Sequence, residues 1–74
     1  MVALQRRPDA ERRLMQDPEL GDVIVEFVRN GAFLKCSAVH VASGTEVSAV
    51  GPAHEPRGLQ RIALAKLKRT LAAR

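Results

Sequence analysis

Aromatic side chains are nearly missing from this chain: 74 residues contain no Trp, no Tyr and only two Phe. Proteins that hold single-stranded nucleic acid stack bases on aromatic faces, so this composition argues against a stacking platform of that kind. A single Cys rules out an internal disulfide framework and every multi-cysteine zinc site. No apolar run approaches the roughly 18 residues that would read as a membrane span. The start carries Arg6 and Arg7 with no apolar stretch behind them, so it does not read as a secretory signal. The expectation is a cytoplasmic protein with no membrane partner. What is present is ordinary globular material: 46% hydrophobic and 27% charged residues, too apolar for a disordered chain and long enough for one small domain.

Residues 1–21 differ from the rest. They hold Arg6, Arg7, Asp9, Glu11, Arg12, Arg13, Asp17 and Glu19, punctuated by Pro8 and Pro18. Pro8 suits the first position of a short helix whose first turn would carry Asp9 and Glu11. Leu14 and Met15 would be that helix's only large apolar groups before Asp17-Pro18 ends it, too little to hold so short a helix. The segment is expected to be a flexible tail with a fraying helix rather than a docked one.

From Asp22 the pattern turns to strands, and residues 22–74 form the expected domain. Asp22–Arg29 is rich in β-branched and aromatic residues. Asn30-Gly31 is a strong hairpin signal. A second strand spans Ala32–His40, Ser43-Gly44 marks a turn, and Thr45–Val50 forms a third strand stopped by Gly51-Pro52. A two-residue turn at Asn30-Gly31 would set Val28 against Phe33, Phe27 against Leu34 and Glu26 against Lys35. Opposed residues share a face. One face then collects Val23, Val25, Phe27, Leu34, Cys36 and Ala38 without a charge. A two- or four-residue loop around Ser43-Gly44 adds Val47 and Ala49 to that face.

Pro56–Arg74 reads as a helix. Leu59, Ala63, Leu67 and Leu71 recur at helical spacing, with Ile62 and Leu64 widening the stripe. The apolar arc and the uncharged sheet face need a cover, and each can cover the other. The expected fold is α+β: a three-stranded antiparallel meander with one C-terminal amphipathic helix packed on one face.

Two surfaces stand out. Residues 57–74 contain Arg57, Arg61, Lys66, Lys68, Arg69 and Arg74 and no acid. Arg57, Arg61, Lys66, Lys68 and Arg69 are therefore anion-binding candidates, with Arg61, Lys68 and Arg69 projecting away from the leucine stripe toward possible phosphates. A solubilising outer face that complements the helix dipole explains the same charges. The other surface is the outer sheet face, where Ile24, Val28, Phe33 and Val39 form an apolar strip that a helix on the opposite side cannot reach. Such a strip marks an interface, most often with a second copy, unless the tail covers it through Leu14 and Met15. A homodimer would also support a thin core.

Little in the chain suggests catalysis. Cys36 and His40 are too few ligands for zinc, and Cys36 on the core face reads as a small buried hydrophobe. His54 and Glu55 share a loop, yet no nucleophile has an assigned base and no Gly-rich phosphate loop follows a strand. No catalytic residue, metal, cofactor or small-molecule substrate is assigned. The expected function is a non-enzymatic interaction module that self-associates through its sheet. The alternative is duplex RNA or DNA phosphate binding through the basic helix.

The stretch Gly44–Pro52, followed by Arg61-Ile62-Ala63-Leu64-Ala65-Lys66-Leu67 and Leu71, resembles a family of very short bacterial proteins of unknown function. These pair a Val-rich "EF" strand, here Val25-Glu26-Phe27, with an "ALxKL" helix. The resemblance spans roughly Asp22 to Ala72 and implies no catalytic or binding residue. A weaker likeness is to the double-stranded-RNA-binding domain, of order α-β-β-β-α. That family grips phosphates at the start of its last helix, a place held here by Glu55-Pro56-Arg57-Gly58-Leu59-Gln60-Arg61. The likeness implies duplex RNA as a partner and a true helix over Pro8–Gln16.

Overall fold

Alternating β-branched residues do make strands from Gly21 onward, but they are not the first to do so. The computed structural model describes residues 10–74. The stretch 1–9, including the Pro8 expected to open a helix, lies outside the described residues. Four strands are present: β1 (Ala10–Asp17), β2 (Gly21–Asn30), β3 (Phe33–His40) and β4 (Glu46–Pro52), followed by helix α1 (Pro56–Ala72). They form one antiparallel sheet in the order β1-β2-β3-β4. The sheet thus has four strands rather than three, and the described part of the expected tail is its first edge strand. The element order is β-β-β-β-α, so the leading helix implied by the RNA-binding-domain likeness is replaced by strand over residues 10–16.

A charged strand at an edge has a physical account. Glu11-Arg12-Arg13-Leu14-Met15-Gln16 has weak intrinsic strand preference, and pairing to β2 along its whole length supplies what propensity does not. Its charges also blunt the open edge against further strand addition. The Asp17-Pro18 pair closes a hairpin instead of ending a helix. The Asp17 carboxylate accepts the N–H groups of Glu19 at 2.8 Å and Leu20 at 3.1 Å. Pro18 lacks the donor that a continuing strand would need, and Gly21 takes a φ of +77° to return the chain.

The β2–β3 register differs from the expected one by two residues. Asn30 pairs with Phe33, so the turn residues are Gly31 and Ala32. Gly31 has φ +63°, and no non-Gly described residue has positive φ. Positive φ at the first turn residue alone is the type II′ pattern, whereas the expected Asn-Gly type I′ turn needs it at both. A shift of two keeps every side chain on its face, so the core assignment holds while the cross-strand neighbours change. Phe27 lies opposite Cys36, Glu26 opposite Ser37 and Lys35 opposite Val28, and the expected Glu26–Lys35 partnership is replaced by these.

The β3–β4 loop has four residues, with His40 N–H bonded to Thr45 O at 2.8 Å, and it sets Ala38 beside Val47 and Cys36 beside Ala49. The fourth strand runs past Val50 through Gly51 and Pro52, where Pro52 faces Phe33. An edge strand tolerates this proline because its missing N–H would point away from the ladder.

The core is a single layer between sheet and helix. Val23, Val25, Phe27, Leu34, Cys36, Ala38 and Val47 from the sheet meet Leu59, Ala63 and Leu67 from α1, all buried. Burying each Val, Leu or Phe stabilises by roughly 1.5–3 kcal/mol. Leu64 and Leu71 flank the helix stripe, but Ile62 is 59% exposed and does not widen it. Pro56 starts the helix where its missing N–H costs nothing. Gly51 lets the helix come close: a Cβ there would lie 3.2 Å from Leu59 Cδ1.

Candidate functional site

The register places the outer residues of all four strands in rows. Leu14, Ile24, Val39 and Glu46 form one row, and Ala10, Val28, Lys35 and Val50 another, with Arg12, Glu26, Ser37 and Ser48 between them. Phe33 and Pro52 extend the sheet at one end. The four sequence-derived interface residues Ile24, Val28, Phe33 and Val39 therefore lie on one surface. Leu14 and Val50 join them, at 61% and 66% exposed, beside Phe33 at 60%. Nothing among the described residues covers this side, since α1 packs on the other. Leu14 lies within the face as part of β1 and does not fold over it, while Met15 turns to the core side.

The helix cations separate into different environments. Lys68 donates to Glu19 at 2.8 Å and reaches the Asp17 carboxylate at 3.4 Å. It ties the helix to the β1–β2 turn rather than projecting freely. The Glu19 hydrogen bond, with help from Asp17, raises the Lys68 pKa against the cost of its desolvation. Asp17 is only 8% exposed. The Glu19 and Leu20 N–H groups together with Lys68 hold its carboxyl below the usual range, outweighing burial. Lys66 donates to Ser48 O at 2.9 Å, and Arg74 to Thr45 Oγ1 at 2.7 Å. Arg57, Arg61 and Arg69 are exposed.

Arg57 also belongs to a cleft of about 480 Å³ between the start of α1 and the ends of β1 and β2. Arg13 and Arg29 line the same cleft, with Phe27 and Leu34 in its wall and Glu11 the one acid among the lining residues. Arg13 lies over the Phe27 ring, 5.9 Å from its centroid, and donates to Gln60 Oε1 at 3.3 Å. Arg29 donates from Nε to Gly31 O at 3.0 Å. Reading the sequence as a tail followed by a meander missed both arginines. The signal for Arg13 was the alternation Glu11, Arg13, Met15, Asp17, which points one way once the segment is extended, and for Arg29 the run Val23, Val25, Phe27, Arg29.

The remaining chemistry-bearing groups are held in place by neighbours. Burial pushes the Cys36 thiol up to about 11, against a small opposing effect of Arg13, so it is protonated at neutral pH. His40 donates from Nε2 to Leu20 O at 3.0 Å, and its Nδ1 is hydrogen-bonded with Ser43 Oγ at 2.7 Å. This links the β1–β2 and β3–β4 turns. His54 and Glu55 approach to 3.8 Å in solvent. Among the described residues no three His, Cys, Asp or Glu side chains gather as metal ligands, and no helix is long and apolar enough to cross a membrane.

Residues 20–74, which carry β2, β3, β4 and α1, match a domain of unknown function, DUF6898. The chain belongs to the DUF6898 family. No curated protein and no solved structure matches it. The DUF6898 match begins after β1, so Arg13, Leu14 and Asp17 lie outside it while Arg29 and Arg57 lie within. This agrees with the resemblance to a family of short proteins of unknown function.

Proposed function

We propose that this protein is a non-enzymatic interaction module that pairs with a second copy of itself through the bare face of its sheet. The observation that carries the reading is the array of Leu14, Ile24, Val28, Phe33, Val39 and Val50 on a face that no other described residue covers. The described chain is 19 Å across its shortest dimension, the depth of one sheet plus one helix. A second sheet on the open side completes the usual sandwich of layers.

Charge favours a protein partner here over a polyanion. The outer face carries Arg12 and Lys35 against Asp22, Glu26 and Glu46, a mixture of signs that attracts no phosphate backbone and permits pairing with itself. Strand spacing near 4.8 Å and a rise near 3.3 Å per residue give a face of roughly 500 Å² per copy. A pair would bury about 1,000 Å², at the lower edge of specific interfaces, so the dimer is weak and concentration-dependent.

Sedimentation over a wide concentration range tests this. The expected result is a monomer–dimer equilibrium that Ile24→Glu moves to monomer while the circular dichroism stays native. A monomer at every concentration, or a dimer indifferent to Ile24→Glu and Leu14→Glu, overturns the reading. A persistent monomer that bound duplex RNA with a steep salt dependence would transfer the function to the exposed helix arginines.

A further inference from the structure

The cleft beside the start of α1 combines features that neither the pairing face nor the family assignment uses. We propose that it binds a small organic anion, a phosphate or carboxylate head on a flat apolar body. Three arginines reach it from three separate elements: Arg13 from β1, Arg29 from β2 and Arg57 from α1, with Glu11 the single opposing charge in its lining. Each guanidinium has five N–H donors in a planar fork suited to carboxylate or phosphate oxygens. The bonds from Arg13 to Gln60 and from Arg29 to Gly31 occupy a small part of that capacity.

The other walls define the rest of the ligand. Ala53 and Pro56 give an apolar rim above the largely buried Phe27 and Leu34, and the volume of about 480 Å³ falls within the range of small-molecule sites. Arg13 already lies over the Phe27 ring, 5.9 Å from its centroid, so a cation sits above the apolar floor. A planar group can insert along that floor with its head among the three guanidinium groups. A free inorganic ion would use the arginines and leave the apolar wall wet. The site therefore selects an anion with a body over a bare anion.

The cleft opens on the helix side of the sheet, opposite the pairing face, so its test is independent of the oligomer. The full chain is titrated with phenyl phosphate, benzoate, inorganic phosphate and benzyl alcohol, following arginine Nε–H and Phe27 ring signals by NMR. Phenyl phosphate or benzoate is expected to saturate shifts at Arg13, Arg29, Arg57 and Phe27. Inorganic phosphate should bind at least about ten-fold more weakly, and the uncharged alcohol should not saturate. Arg57→Gln, on the exposed helix surface, should weaken phenyl phosphate about ten-fold, the loss of one charge-assisted contact. Glu11→Gln should tighten it, a gain that disrupted folding could not produce. The proposal is overturned if no ligand saturates below about 10 mM, if Arg61 and Arg69 shift as much as Arg57, or if bare phosphate binds as well as phenyl phosphate.

Discussion

The two faces of this sheet are built from the same strands and differ in what lies over them. On one, Val23, Val25, Phe27, Cys36 and Ala38 are sealed by Leu59, Ala63 and Leu67. On the other, Ile24, Val28, Val39 and Val50 alternate with those same residues and have no layer above them among the described residues. The covered face holds no charge in its centre, and its charges appear only at the margin, where Asp17 meets Lys68 and Arg13 meets Gln60. The bare face carries Arg12 and Glu26 in its middle row. A charge is tolerated where water reaches it and excluded where a helix removes the water. The contrast teaches that apolar content alone does not identify a core; the cover does.

Substitutions can break this contrast. The largest effect belongs to Leu67→Ala, which opens a void under a fully buried side chain and should cost about 2–5 kcal/mol in urea unfolding. Leu14→Ala on the bare face should change monomer stability by no more than about 0.5 kcal/mol, which would confirm that the two leucines differ in cover alone. Equal losses would mean that the bare face is covered in solution.

Next comes Gly51→Ala. The added methyl would meet the tip of the Leu59 side chain at 3.2 Å, so that side chain must give by a few tenths of an ångström, at a cost of about 1 kcal/mol. A neutral outcome would show that the Leu59 side chain can yield within the core without loss of packing.

The margin of the covered face is sharpened by acid. Asp17 has a folded-state pKa below its ordinary 3.8, so its charged form contributes stability above that value. That contribution is lost as pH falls through the lower folded value. Asp17→Asn should be less stable than the parent at neutral pH by about 1 kcal/mol, the order of one charge-assisted hydrogen bond. The difference should close well below pH 3.8. A gap independent of pH would assign the loss to packing. The Ile24→Glu change on the bare face is read by the sedimentation shift, with circular dichroism checking that the fold stays native.

Much of this fold was legible in the residues. The alternation through Val23, Val25 and Phe27 identified the core face, and Leu59, Ala63 and Leu67 identified the helix stripe, because periods of 2 and 3.6 follow from local geometry. The turn after Asn30 was placed one residue early, yet the faces survived because the resulting shift was even. Ile62 was drawn into the stripe by its hydrophobicity, but the helix meets the sheet along a narrower arc. The edge strand Ala10–Asp17 was read as tail because Arg12, Arg13 and Gln16 favour no strand by themselves.

Of the candidate surfaces, Ile24, Val28, Phe33 and Val39 could be grouped from alternation alone, and Arg57 from the charge run. Lys68 could not be placed, since its partners Asp17 and Glu19 are about fifty residues away along the chain.

The sequence by itself determined which residues turn inward, because side-chain direction along a strand or helix is a local property of the backbone. Tertiary structure alone decided that residues 10–17 become a strand and that Arg13, Arg29 and Arg57 converge on one cleft. Pairing to β2 supplies hydrogen bonds that the segment's own propensity does not demand, and convergence depends on how three distant elements pack.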